Sequence, residues 1–434
     1  MKVLICSYSP ATFSSYGTIV ADLWTRLAKT GEFDVIQHAW FHGPIASPVP
    51  WKLVLTNGED GDKFGAQSFD QVVSSVKPDV VWVLGDIYMF RYMLSAKRRL
   101  GFRLVVWTLT EGEPVDEDNI PFLKGADEVV AITKWAASKW QARAGKQFRT
   151  IWHGVDTQVF SPVTEEQKTA LRDKHSAGRI AKDDYLITFV GRNQARKRPW
   201  IPYIILHYLK TGAWGWDANR VPILARWDPD RRTHAQEQRI QTLASPIAEA
   251  KLWMHSHDEK REWSFERFER EWGLSGDVWY TEGLGPLTGL SKEMLADIYR
   301  ASDVISMVSG SEGFGVPIIE AASCGVPSVY TDYSGCGEIG EECKGYPVPY
   351  DSWDNAKFTH VRWVNPNLAY AVEAFYRAWE DVRTRRTTDP MLFKNRLHEI
   401  TKVKFDQDNI VAQWTQALRE VVARPQITIM GERA

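Results

Sequence analysis

The stretch Ser309–Glu320 reads Ser-Gly-Ser-Glu-Gly-Phe-Gly-Val-Pro-Ile-Ile-Glu and runs on into Ala-Ala-Ser-Cys-Gly-Val-Pro. Two carboxylates, Glu312 and Glu320, bracket a turn that holds Gly313 and Gly315. The β-branched run Asp303–Val308 before it predicts a buried strand. Pro317 suits the first turn of a helix and Gly325 its end. Small residues let a ligand approach the backbone closely, and the free N–H groups of a helix start favour anions. Strand, glycine loop, helix start and two acids together predict a site for a phosphorylated, hydroxyl-rich ligand.

A second group of reactive types is Val190-Gly-Arg-Asn-Gln-Ala-Arg-Lys-Arg198, which follows the apolar run Tyr185–Val190. Open α/β sheets bind ligands at the C-terminal ends of their strands. Arg192 offers a planar fork and Lys197 a point charge, and both suit phosphate; a solvated basic loop is the alternative. Two acids also sit at expected strand ends. Asp86 closes Pro78–Asp86, and Glu111 follows Phe102–Thr108. Each either positions a hydroxyl or is structural. Gly17, in Ser14-Ser-Tyr-Gly17, lets its backbone approach a ligand or makes a tight turn. His255-Ser-His257-Asp258 looks like a metal cluster, but its spacing fits no common ligand motif, so it reads as wall and no metal is expected. Tyr88–Leu100 mixes aromatic and basic residues. It is read as a helix packed on a sheet with a basic end, with a membrane surface or a polyanionic acceptor as the alternative.

Short apolar runs alternate with helical patterns along the chain, which argues for α/β layers with parallel sheets. In the first half the strands are expected at Lys2–Ser7, Phe33–Ala39, Pro78–Asp86, Phe102–Thr108, Glu128–Ile132 and Phe148–Trp152. Thr18–Thr30 reads as an amphipathic helix. The turn-rich Gly154–Pro162 then closes a first domain at about residue 162. A polar helix over Thr164–His175 leads to a second unit, residues 183–400. Its sheet is expected from Tyr185–Val190, Val221–Ala225, Lys251–His255 and Val278–Thr281, with a charged helix over Glu259–Trp272, and Lys292–Ala301 precedes the strand at Asp303–Val308.

The 434 residues are enough for two sizeable domains, and 44% hydrophobic and 25% charged residues are ordinary for a globular protein. A formal charge of −2 excludes a dedicated nucleic-acid binder. Arg231-Arg232 and the other basic runs outside residues 192–198 read as solvated faces. Twenty tryptophans read mostly as core, since such rings also stack on sugars and bases only in specific settings. The four cysteines form no Cys-x-x-Cys or zinc pattern, and Cys6 and Cys324 read as buried thiols. Met-Lys-Val-Leu-Ile-Cys-Ser-Tyr enters a strand directly, and no apolar run of about 18 residues occurs. The expectation is a reduced, cytoplasmic protein with no stable membrane span, with peripheral attachment left open.

With Glu312-x7-Glu320 inside Ser-Glu-Gly-Phe-Gly-Val-Pro, the sequence resembles the donor-site signature of the family 4 retaining glycosyltransferases. The variant Arg-Asn-x-Ala-Arg-Lys-Arg, with Tyr-Gly in the N-terminal loop, is most similar to virus-encoded members. The resemblance implies the GT-B fold: α/β, two Rossmann-like domains with parallel sheets facing a central cleft, the first for the acceptor and the second for the donor. It implies that a helix at about 405–425 packs back on the first domain. It implies a donor site of Gly17, Arg192, Lys197, Gly313, Phe314, Gly315, Val316 and Glu320, with Glu320 on the ribose, Arg192 and Lys197 on the diphosphate and Glu312 beside the sugar. The implied activity is metal-independent, retaining transfer of a sugar from a GDP- or UDP-sugar, with no other cofactor, to a hydroxyl on a glycan, lipid, protein or modified nucleic acid. A nucleotide-sugar epimerase of the same fold and a non-catalytic nucleotide-sugar-binding subunit are the alternatives. Two positions depart from the family pattern. Arg198 stands where a glycine is usual, and Thr110 followed by Glu111 stands where many members carry an acceptor-side histidine. Glu111 and Asp86 are the candidates to take over that role.

Overall fold

The computed structural model describes residues 1–12, 14–41, 49–56, 61–225, 242–257, 263–284, 289–356 and 361–425. Arg231, Arg232, His42 and Asp258 lie outside the described residues. The chain divides into two compact units, with the break between Gly154 and Val155 and a return to the first unit at Phe405. The break falls ahead of residue 162 because 155–162 is tied into the second unit. Arg300 donates to Val159 O at 2.6 Å and to Ser161 O at 2.8 Å, and Ser323 Oγ donates to Phe160 O at 2.5 Å.

The first unit runs β1 (Lys2–Tyr8), α1 (Ser15–Lys29), β2 (Asp34–Trp40), β3 (Lys52–Leu55), α2 (Phe69–Val76), β4 (Val80–Leu84), α3 (Met93–Leu100), β5 (Arg103–Thr108), α4 (Ile120–Gly125), β6 (Glu128–Ala131), α5 (Lys134–Ala144) and β7 (Arg149–Thr150). The strands form a parallel sheet in the order β3-β2-β1-β4-β5-β6-β7. All five residues of β4 are buried, as expected of a strand covered by helices on both faces. The order reverses direction between β1 and β4, so the loops after these strands leave on opposite sides and open a crevice at their C-terminal ends. Helix α3 packs through Met93 and Ala96, while its basic end is engaged by acids, Arg99 with Asp70 at 2.6 Å and Lys97 with Asp127 at 3.1 Å.

The second unit runs α6 (Glu165–Ser176), β8 (Tyr185–Val190), α7 (Ile201–Thr211), β9 (Trp214–Trp216), β10 (Pro222–Leu224), β11 (Thr242–Leu243), β12 (Ala250–His255), α8 (Phe265–Glu271), β13 (Val278–Tyr280), α9 (Lys292–Ala301), β14 (Val304–Met307), α10 (Val316–Ser323), β15 (Ser328–Thr331), α11 (Ser334–Glu342), β16 (Tyr346–Val348), β17 (Tyr350–Asn355), β18 (Arg362–Pro366), α12 (Leu368–Thr387) and α13 (Pro390–Phe405). Its parallel sheet has the order β13-β12-β8-β14-β15-β16. Here the reversal lies between β8 and β14. The last helix, α14 (Gln407–Ala423), belongs to the first unit. Its buried Trp414 sits edge-on to Trp82 and Trp107, at centroid distances of 5.5 and 5.2 Å.

One expectation is corrected. Val221–Ala225 does not continue the parallel sheet. Strand β10 pairs antiparallel with β9 in a separate three-stranded sheet. The carboxylate of Asp217 accepts from the N–H of Asn219 at 2.8 Å and of Val221 at 2.9 Å, which folds a tight turn. A turn that short joins antiparallel neighbours, whereas a parallel partner needs a crossover.

Strand β14 is anchored at its start by Asp303, whose carboxylate is fully buried. Lys168 at 2.5 Å, Arg172 at 2.8 Å, Arg386 at 3.1 Å and the Leu186 N–H at 2.8 Å all donate to it. Burial alone would raise its pKa, and the three cations hold it well below the usual carboxylate range instead. Helices α6 and α12 are thereby fastened to the strand. Asp303→Asn leaves these cations short of a countercharge. The expected loss is about 3–5 kcal/mol, the range for breaking a buried ion pair from one side, read as a lower urea midpoint of unfolding. An unchanged midpoint would refute the anchor.

Candidate functional site

The loop after β14 is fixed before any ligand is considered. Ser334 Oγ donates to Glu312 O at 2.9 Å and accepts from Glu312 N at 3.2 Å, and Gly335 N donates to Glu312 O at 3.1 Å. These residues open α11. On the other side, Gly310 N donates to Arg196 O at 2.8 Å and accepts through its carbonyl from Val364 N at 2.8 Å. The loop after β14 is therefore sewn to the loop after β8. Gly315 caps α10 with φ of +98°, a backbone region that favours glycine. Phe314 is buried beneath the loop.

Glu312 points into this arrangement with only 5% of its surface exposed. Lys197 Nζ lies 2.7 Å from its Oε1 and Arg196 Nη1 lies 2.8 Å from its Oε2. The Arg196 guanidinium also donates to Ser311 O at 2.5 Å. Burial pushes the Glu312 carboxyl up, but Arg196 and Lys197 outweigh it and hold it at about 2. Glu320 stands on α10 and accepts from Tyr299 OH at 2.7 Å. Burial, then the Glu320 charge, pushes that phenol well above its usual value. The structure thus places Glu312, Gly313, Phe314, Gly315, Val316 and Glu320 on one loop and helix start at the reversal point of the second sheet.

Arg192 and Lys197 are the cations expected to meet a diphosphate. In the structure Lys197 is joined on Glu312 by Arg196, and Arg192 is exposed on the same loop. Helical or strand spacing could not show this, because 195–197 is a single 3-10 turn. Arg198 has φ of +50°, where a side chain is uncommon. It turns to the β17–β18 hairpin instead, donating to Asn365 Oδ1 at 2.6 Å and Val364 O at 3.2 Å.

In the first unit, Gly17 lies in the first turn of α1, capped by Ser14. A Cβ there would stand 2.6 Å from Ser9 O, so close packing against the end of β1 already requires a glycine. Asp86 follows β4 and accepts from Tyr16 OH at 3.3 Å. Burial, then the charges of Asp86 and Glu111, raises the Tyr16 phenol well above its usual value. The two acids therefore act on one side chain at the C-terminal edge of the sheet. Thr110 Oγ1 donates to Gly112 O at 3.0 Å. His38 and His153 are buried and held down at about 4 and about 3 by desolvation. His255, held at about 4 by burial, faces Thr281 Oγ1 at 3.1 Å. Among the described residues no three His, Cys, Asp or Glu side chains gather as a metal site, and no helix is long and apolar enough to cross a membrane.

Residues 286–357, which contain the Glu312–Glu320 loop, match the family model Glycosyl transferases group 1. A D-inositol 3-phosphate glycosyltransferase of Rhodococcus erythropolis is 40% identical over 68 residues, 16% of this chain and 14% of the relative. The enzymes of that name from Gordonia bronchialis and, as number 2, Catenulispora acidiphila are 24% and 28% identical over 213 and 218 residues. Those stretches make up 48% and 50% of this chain and 38% and 42% of the relatives. The matches thus span less than half of each relative's length. Among solved structures, Anabaena HepE in complex with UDP-glucose superposes with a TM-score of 0.67 at 14% identity, covering 97% of this chain and all of that one. Sucrose-phosphate synthase from Thermosynechococcus elongatus gives 0.67 at 16% identity, over 97% and 99% of the two chains. The fold is GT-B: α/β, with two Rossmann-like units built on parallel sheets.

The Glu312 cluster makes a pH prediction. The folded-state pKa of Glu312 lies below its ordinary value of 4.5. The stability it contributes is therefore complete above about pH 4.5 and is lost as pH falls towards about 2. At about 1.4 kcal/mol for each pH unit the contribution is on the order of 3 kcal/mol. Glu312→Gln should unfold at lower urea than the parent at pH 7, and the gap should narrow as pH falls to 2. A gap that does not change with pH would show that the charge of Glu312 is not what counts.

Proposed function

We propose that the chain is a retaining, metal-independent glycosyltransferase that takes a sugar from a nucleoside-diphosphate sugar and passes it to a hydroxyl acceptor. The observation that carries this reading is the carboxylate of Glu312 held between Arg196 and Lys197 at the reversal point of the second sheet. Glu320 on the adjoining helix is the group for the ribose hydroxyls. The match of residues 286–357 to a glycosyltransferase model supports the same reading, as does the fold shared with a UDP-glucose complex.

In this reaction the bond between the anomeric carbon and the diphosphate oxygen breaks, and the electron pair leaves with the diphosphate. Arg196 and Lys197, with Arg192 on the same loop, neutralise that growing charge. Because the loop backbone fixes them in advance, they need little reorganisation as the charge develops. The loop residues Gly313, Gly315 and Val316 bring backbone to the donor. Glu312 faces the positive charge that develops at the sugar carbon. The acceptor oxygen bonds to the anomeric carbon on the face the diphosphate leaves, and its proton passes to the leaving phosphate. A protein base is then not required, which is compatible with Thr110 in place of a histidine. Asp86 and Glu111 are assigned to hold acceptor or sugar hydroxyls in the first unit.

Lys197→Ala and Arg196→Ala should each cost about 2–4 kcal/mol of transition-state stabilisation, measured as kcat/KM for sugar release from UDP- and GDP-sugars in excess chelator. A folded double variant with parental turnover would exclude the clamp. A parent that binds donors without turnover would be a binding subunit. Glu111→Gln and Asp86→Asn should leave donor affinity unchanged in calorimetry, while at least one slows transfer tenfold or more, which is about 1.4 kcal/mol in the barrier. If both transfer at the parental rate, these acids are structural.

A further inference from the structure

At the C-terminal ends of β12 and β13, beside the clamp, lies a cavity of about 330 Å³. That is at the lower end of the roughly 300–1,000 Å³ that small-molecule sites occupy. Its wall includes Phe265 and Tyr280, whose rings lie nearly parallel, 12° apart with centroids at 6.2 Å. Phe265 is buried in the core, and the half-buried Tyr280 ring that it backs is the face on which a planar heterocycle can stack. Ser256 Oγ lines the cavity, is 6% exposed as a residue, and has no hydrogen-bond partner among the described residues. A buried hydroxyl without a partner is costly, so it marks a place for a polar ligand group. Glu269 also lines the cavity. Tyr280 OH donates to its Oε2 at 3.0 Å and is itself 3.2 Å from Tyr203 OH. A carboxylate accepts about four hydrogen bonds, so Glu269 retains capacity towards a ligand. The other acid on the wall, Glu266, is exposed and paired with Arg270 at 2.6 Å.

The sheet order sets the distance. From β8, whose following loop carries Arg196 and Lys197, through β12 to β13 there are two strand spacings of about 4.8 Å each, roughly 10 Å in all. A nucleotide with its diphosphate at Arg196 and Lys197 places its base at the far end of that span. We infer that this cavity is the base subsite of the donor and that Glu269 selects guanine. Guanine presents two adjacent donors, the ring N–H and the exocyclic amino group, which a carboxylate accepts together. Uracil presents one N–H between two carbonyl oxygens, and a carboxylate repels both. Adenine and cytosine offer the amino group without an adjacent ring N–H. The inference rests on the nucleotide-sugar reading and adds the identity of the base.

The test is calorimetric titration of the full chain, and of its Glu269→Gln variant, with GDP, UDP and ADP. The parent should bind GDP at least tenfold more tightly than UDP or ADP. Glu269→Gln is nearly isosteric and can still accept from Tyr280. It should weaken GDP at least tenfold and leave UDP within about threefold, so the ratio collapses. UDP binding as tight as GDP, or a variant that weakens both equally, overturns the base assignment while leaving the nucleotide-sugar reading intact. Binding of none of the three overturns both. Ser256→Ala serves as a second probe. It should weaken GDP without changing the melting temperature, and an unchanged GDP affinity would remove Ser256 from the subsite.

Discussion

A buried carboxylate between two cations is the constraint from which the second unit's site is built. Glu312 cannot be buried ionised without partners, because desolvation of a lone charge costs several kcal/mol. Its partners come from the loop after β8, Arg196 and Lys197. Satisfying one carboxylate therefore forces two loops from adjacent strands to converge. The backbone bonds from Gly310 to Arg196 and to Val364 hold them there. The consequence is that two positive charges stand beside one carboxylate at positions set by the fold, and the proposed function uses them for the diphosphate.

Strand order explains why the convergence happens at this edge. Strand β8 has β12 on one side and β14 on the other. The connections leaving β8 and β14 diverge, so their C-terminal ends frame a crevice that helices do not cover. The same topology recurs in the first unit at β1 and β4, where Gly17 and Asp86 stand. Gly17 serves packing there, since Ser9 O leaves no room for a Cβ.

Much of this was legible in the sequence because buried parallel strands write themselves as unbroken apolar runs. Tyr185–Val190 has the same limits in sequence and structure, and the motif from Ser309 to Glu320 coincides with the loop and helix start that carry Glu312 and Glu320. What escaped has physical causes. Trp214–Trp216 and the polar Tyr350–Asn355 hairpin arm lack the length or the alternation that signals a strand. The antiparallel turn at Asp217 depends on one side chain's hydrogen bonds. The approach of Arg196 to Glu312 depends on a 3-10 turn that no periodicity encodes. The cavity beside Glu269 is made by side chains from three separate segments, so it exists only after folding.

Strand β14 is flanked by two buried carboxylates, Asp303 just before it and Glu312 in the loop after it, and the two differ in their surroundings. Asp303 is enclosed by three cations, of which Arg386 also donates to two backbone carbonyls and Arg172 spends its remaining donors on four. The Asp303 side chain has no exposed surface, which fits a role in stability. Around Glu312 the side chains of Arg196 and Lys197 each keep 16% of their surface exposed. Those cations are held firmly and remain reachable. The strand between them is four residues long. Fixing one end with a buried ion cluster restrains the strand, so the loop that carries Glu312 and meets Arg196 and Lys197 starts from a fixed position.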